Sequence, residues 1–154
     1  MNWHDEGRGG VRRFHEGGSY EALGGYSRAV RHGPLIAVSG TTCRPESTGR
    51  GTRLQVQDCL LRVIAAVERL GGSRDGIFRT RMFLSPDADW REATSAHQQM
   101  LGDVAPANTT LFVHAMIGPD LLAEVEADAW VGGDDGPDSS EGGPDSSEGA
   151  DSSA

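Results

Sequence analysis

Residues 53–72, RLQVQDCLLRVIAAVERLGG, followed by IFRTRMFL at residues 77–84, decide the fold. In the first stretch Val56, Leu60, Val63, Ile64, Val67 and Leu70 recur at spacings of three and four. That spacing gathers them on one apolar face of a helix. Gly71-Gly72 then supplies the residue that can take a left-handed backbone and stop the helix. In the second stretch the period drops to two. Phe78, Thr80, Met82 and Leu84 fall on one face, and Ile77, Arg79, Arg81 and Phe83 on the other. A long amphipathic helix handing over to a strand within a few residues predicts a helix packed on a sheet.

Working outward, two β-prone runs precede the helix, Gly25–Val30 and Leu35–Ser39. Arg31-His32-Gly33-Pro34 between them predicts a hairpin with Gly33 in the turn. After the central strand, Ser85-Pro86-Asp87 is read as a break that caps a second helix over Ala88–Leu101. Its inner side is assigned Trp90, Ala93, His97, Met100 and Leu101. Two more strands follow. Thr109–Met116 places Thr110, Phe112 and His114 together, and Leu122–Val131 places Glu124, Glu126, Asp128 and Trp130 opposite a small apolar face. The expected fold class is α+β, a mixed β-sheet with two helices packed on one face. The other sheet face mixes Phe83, Phe112 and Trp130 with charge, which points to burial against a partner.

The bulk properties narrow the function classes. At 154 residues the chain holds one domain's worth of sequence. The expected organisation is a flexible N-terminus over 1–12, a domain over 13–132 and an acidic tail over 133–154. The tail repeats Gly-Pro-Asp-Ser-Ser-Glu-Gly and offers no core residues, so it is expected to be disordered. The net charge of −9 is concentrated there: the last 21 residues carry seven of the 23 acids, leaving 16 against 14 arginines. The arginines form no stripe, so a nucleic-acid partner is not expected. There is no long apolar run to span a membrane and no leader-like start, so a cytoplasmic protein with no membrane partner is expected. Cys43 and Cys59 are expected to be reduced thiols. The histidines and cysteines show no ligand spacing, so neither metal nor cofactor is expected.

The ordered segments Tyr26-Ser-Arg-Ala-Val, Leu35-Ile-Ala-Val-Ser-Gly40, Gly71-Gly-Ser, Arg79-Thr-Arg-Met-Phe-Leu84, Pro106-Ala-Asn-Thr-Thr110 and Glu124-Val-Glu-Ala-Asp-Ala129 carry a resemblance. Over about residues 20–131 the chain resembles the Rid (YjgF) family of reactive-intermediate imine deaminases. The resemblance implies a chorismate-mutase-like fold and a homotrimer with ligand clefts between subunits. It implies a cleft tyrosine at Tyr26, a ligand-facing backbone amide at Gly40, and Glu124 as the catalytic group that places water. The family's arginine after Pro-Ala, which clamps a substrate carboxylate, is replaced here by Asn108, and the family's frequent cysteine two residues on is Thr110. Asparagine cannot supply the charged two-pronged fork of a guanidinium. The expected ligand-binding set is therefore Tyr26, Gly40, Phe83, Asn108, Thr110 and His114, the last either a proton shuttle or a packed histidine. The implied function is action on, or binding of, a small imine- or enamine-type electrophile other than 2-aminoacrylate. The alternative is a non-catalytic trimer that binds a metabolite or a partner protein.

Overall fold

The computed structural model describes residues 5–7 and 10–132; the acidic tail expected over 133–154 lies outside the described residues. The amphipathic stretch is a helix, α2 (Thr52–Arg69), and the alternating stretch a strand, β5 (Ile77–Leu84). Around them the chain runs β1 (Asp5–Gly7), β2 (Val11–Phe14), α1 (Ser19–Gly24), β3 (Ala29–His32) and β4 (Leu35–Thr42) before α2. After β5 come α3 (Trp90–Leu101), β6 (Ala107–Phe112) and β7 (Ala123–Trp130). The seven strands form one sheet in the order β1-β2-β3-β4-β7-β5-β6. Only the β5–β6 pair is parallel, as a crossover through α3 requires.

Helices α2 and α3 pack against each other, and α2 lies over β4 and β7. Val56, Leu60, Val63 and Val67 from α2 and Ala93, Ala96 and Leu101 from α3 are buried with Ile36, Met82, Leu84, Val125, Ala127 and Ala129 from the sheet. The small residues of β7 let α2 approach closely. The helix stops as its glycines predict. Gly71 takes φ +83°, Gly71 N–H donates to Glu68 O at 3.0 Å, and Gly72 N–H to Val67 O at 3.0 Å. This pair of bonds satisfies carbonyls that the helix end would leave orphaned. Gly33, at φ +59°, opens the two-residue β3–β4 turn.

Four expectations are corrected by tertiary context. The first hairpin strand begins at Ala29 rather than Gly25, because Gly25 takes φ +66° as the left-handed cap of α1, a helix that the sequence pattern did not suggest. In β5 a bulge between Ile77 and Arg79 resets the alternation, so Ile77 is buried and Phe78 exposed. Helix α3 is capped by Asp89, not Asp87: Asp89 Oδ1 accepts from Arg91 N–H at 2.8 Å and Glu92 N–H at 3.2 Å. Trp90 consequently begins the helix on its outer side, where the Arg91 guanidinium stacks over its ring at 4.6 Å. Finally, β6 spans Ala107–Phe112, not Thr109–Met116. It pairs with β5 only as far as Leu84↔Phe112, a register that sets Leu111 rather than Phe112 on the face of Phe83, and beyond Val113 N–H to Leu84 O no described strand continues the pairing.

Candidate functional site

Three residues of the expected site meet at one end of the sheet. Glu124 is the second residue of β7 and lies cross-strand from Thr42 on one side and Phe83 on the other. Gly40 sits in β4 where the pairing with β7 slips between Val38 and Thr41. A Cβ at position 40 would collide with Glu124 Oε1 and stand 3.0 Å from its Cδ, so glycine is required here for the carboxyl group to rest against the β4 backbone. Tyr26 follows the left-handed turn at Gly25, with its N–H donating to Glu21 O at 3.2 Å. Tyr26, Gly40 and Glu124 line a cavity of about 400 Å³, and Tyr20, Leu23 and Ile117 add an apolar lip. Tyr20, Leu23 and Ile117 are at least 60% exposed, a surface that a ligand or partner can cover.

The cavity floor is ionic. Arg28, only 8% exposed, donates through Nη1 to Gly40 O at 2.6 Å and to Thr41 Oγ1 at 3.0 Å. Its Nε faces Glu16 Oε2 at 3.5 Å and Glu21 Oε1 at 3.7 Å. Arg62 donates from Nη1 to Thr42 O at 2.6 Å and pairs through Nη2 with Glu16. Glu21 also faces His15 Nδ1 at 3.4 Å. Both guanidiniums donate through Nη1 to protein acceptors, while the buried Arg28 Nε–H makes no hydrogen bond among the described residues, and the lining carries Glu16, Glu21 and Glu124 against two arginines. Burial raises the Glu124 pKa above the ordinary glutamate value; Arg28 pulls it down and Glu126 pushes it up. A carboxyl held in this way can hand a proton to, or orient water for, an electrophile.

The remaining expected residues lie elsewhere. Phe83 is half-buried beside Glu124 on the open face of the sheet. Asn108 and Thr110 pair in register with Thr80 and Met82, so they lie on the helix-facing side of β6, opposite the face that carries Glu124. Within one chain they do not line the Glu124 cavity. Asn108 Nδ2 donates to Thr80 Oγ1 at 3.0 Å, and Thr110 Oγ1 donates to Asn108 Oδ1 at 2.8 Å. His114 is exposed on the loop after β6 and lines a separate cavity with Ser85, Asp87 and Asp120. Arg81, not Arg79, pairs with the acids of β7, with Nη1 at 3.1 Å from Glu126 and 3.4 Å from Asp128. Both cysteines are free and buried, and burial raises both thiols, which keeps them protonated and poor nucleophiles. Among the described residues no His, Cys, Asp and Glu cluster is arranged to hold a metal.

The sequence reading passed over Arg28, Arg62, Glu16 and Glu21. Arg28 did carry a signal, a lone cation inside the β-prone run two residues after the cleft tyrosine. Arg62 interrupts the apolar rhythm of α2 only between its faces, and its role depends on which way α2 is turned over the sheet.

A seven-stranded, mainly antiparallel sheet with two helices on one face and a ligand-sized cavity at the strand ends is the chorismate-mutase-like architecture of YjgF-type proteins. The chain belongs to that family: it matches the family described as Endoribonuclease L-PSP over residues 17–131. It is similar to a Mycobacterium tuberculosis protein described as a member of the highly conserved YjgF/YER057c/UK114 family, with 37% identity and a TM-score of 0.73 over 79% of this chain and 99% of that one. An uncharacterised Streptomyces coelicolor protein is 30% identical over 125 residues, 79% of this chain and 93% of its own. A RutC family protein of Pyrococcus abyssi is 26% identical over 112 residues, 70% of this chain and 87% of its own. Among the described residues no helix is long and apolar enough to cross a membrane.

Proposed function

We propose that this protein acts on a small imine- or enamine-type electrophile in clefts between the subunits of a homotrimer, and that its substrate need not carry a free carboxylate. The observation that carries this reading is the corner where Glu124, its pKa raised by burial, rests against Gly40 beside Tyr26 in a cavity of about 400 Å³. Hydrolysis there adds water across C=N and releases ammonia and a carbonyl compound; Glu124 takes and returns the water's protons. Asn108 and Thr110 stand on β6, the free edge of the sheet, and Leu111 and Phe112 beside them are exposed. An uncovered edge strand with apolar residues calls for a partner. A neighbouring subunit's β6 brought against the Glu124 cavity would complete a two-walled cleft. Among the described residues the two cavity arginines, Arg28 and Arg62, are both paired with carboxylates of the chain, which leaves them less available to a substrate carboxylate. A neutral and bulkier substrate, its apolar part on Tyr20, Leu23, Tyr26 and Ile117, fits better.

Imines generated in situ by an amino-acid oxidase, across small, large and aromatic side chains, test this with Glu124→Ala as control. Accelerated loss of the large imines, abolished in the variant, is expected. No acceleration for any imine would turn the reading to the alternative, a non-catalytic binding module. That second reading draws on one observation, the pairing of both cavity arginines with the chain's own carboxylates, which suits retention of a neutral ligand. Ribonuclease action finds no support in the near-neutral balance of the chain before its acidic tail.

A further inference from the structure

Thr110, Asn108, Thr80 and His97 form one continuous hydrogen-bonded chain from the edge of the sheet to α3. Thr110 Oγ1 donates to Asn108 Oδ1 at 2.8 Å, Asn108 Nδ2 donates to Thr80 Oγ1 at 3.0 Å, and Thr80 Oγ1 lies 2.8 Å from His97 Nε2. Each hydroxyl has a single hydrogen, and an amide nitrogen has two. Thr80 is fully buried and, among the described residues, its hydroxyl hydrogen finds no acceptor other than His97 Nε2, so that hydrogen goes to the ring. That nitrogen is then the bare one, and the imidazole carries its hydrogen on Nδ1. Burial of His97 favours this neutral form.

The orientation of the Asn108 amide sets the polarity of the exposed end. Thr110 has committed its hydrogen to Asn108, so its oxygen offers only lone pairs outward. Asn108 has one N–H left over. The β6 edge therefore presents an acceptor beside a donor. A carboxylate would set its lone pairs against those of Thr110. A carboxamide, lactam or ureide edge fits both groups: its N–H donates to Thr110 Oγ1 and its carbonyl accepts from Asn108 Nδ2. An unmet buried pairing of this kind discriminates strongly.

We propose that the β6 edge recognises a carboxamide-type group of the ligand, with Asn108 and Thr110 as its contacts and Thr80 and His97 as positioning residues that fix their polarity. This rests on the reading above that β6 lines the ligand cleft. Asn108 then stands in place of the arginine as a selector for a neutral group.

The test uses the full chain and a matched pair of probes, benzamide and benzoate, followed through backbone amide shifts by NMR. Benzamide is expected to shift residues 108–110 and to bind at least about tenfold more tightly than benzoate. Thr110→Val should remove most of that preference. Thr80→Val, nearly isosteric in the core, should narrow it while the fold is retained, and should move the His97 ring nitrogens away from the bare-Nε2 pattern; Thr80→Ser should restore both. Benzoate binding as tightly as benzamide would overturn the proposal. So would benzamide shifts confined to Tyr26, Gly40 and Glu124, an outcome that leaves the cleft reading standing. Absence of shifts at either wall with either probe would overturn both.

Discussion

The two walls that the family resemblance assigns to one cleft are built on opposite principles. The wall around Glu124 is ionic, crowded and partly buried: Arg28 and Arg62 are locked into carbonyls and carboxylates, and Gly40 is kept bare so that the carboxyl of Glu124 has a resting place. The wall on β6 is neutral and exposed, and its polarity comes from a relay of single hydrogens. The first wall is held by charge within the chain and tolerates little change. The second is an edge strand that waits for something to face it. On the proposed reading, chemistry that needs a tuned proton falls to the first and discrimination between ligands to the second.

The largest effect that should separate the two walls is Glu124→Gln. It keeps the shape and removes the proton function, so turnover on the best imine should fall about 10²-fold or more, while benzamide affinity changes little. Equal loss of both would mean that the walls are not independent. Next comes Arg28→Met. Removing Arg28 takes the guanidinium away from the buried Glu21, while Glu16 keeps its pairing with Arg62, with an expected cost of about 3 kcal/mol in urea unfolding. The same change withdraws the group that lowers the Glu124 pKa, so the acid limb of the activity profile should move to higher pH.

Gly40→Ala should act on function more than on stability. The added methyl meets the end of a flexible side chain, so the fold adapts, but the carboxyl is displaced and turnover should drop up to about 10²-fold. A lower melting temperature with normal turnover would break this assignment.

The smallest effect belongs to the neutral wall. His97 is held below the usual histidine pKa by burial. A depressed folded-state pKa gives stability that is fully present above the unfolded value and is lost as pH falls through the folded one. Stability should therefore decline as pH drops below about 6.5, and His97→Gln should flatten that part of the curve in pH-dependent thermal melts.

Much of the scaffold was legible in the residues because local chemistry and tertiary packing agree there. The period of α2, the Gly71-Gly72 stop and the small face of β7 each point to the same arrangement. The misreadings fall where a neighbour overrides the local pattern. Strict alternation groups Phe78 with Thr80, Met82 and Leu84, and only the pairing with β7 introduces the bulge that turns it out. The strand after α3 was drawn on to Met116 because its residues remain β-prone, but β5 runs out at Leu84.

The site divides in the same way. Tyr26, Gly40 and Glu124 could be named from the sequence because each sits in a recognisable segment, and the fold brings them to one cavity. Arg28, Arg62, Glu16 and Glu21 could not be assembled from their spacing, since 46 residues separate Glu16 from Arg62 and only the packing of α2 against the sheet end joins them. By itself the sequence determined the helix and strand periods, the glycine stops and the family, and it places Asn108 where the family resemblance implies an arginine. The tertiary structure alone decided that Asn108 turns to the helix side and pairs with Thr80, because in a parallel β5–β6 pair the register sets which face each side chain takes.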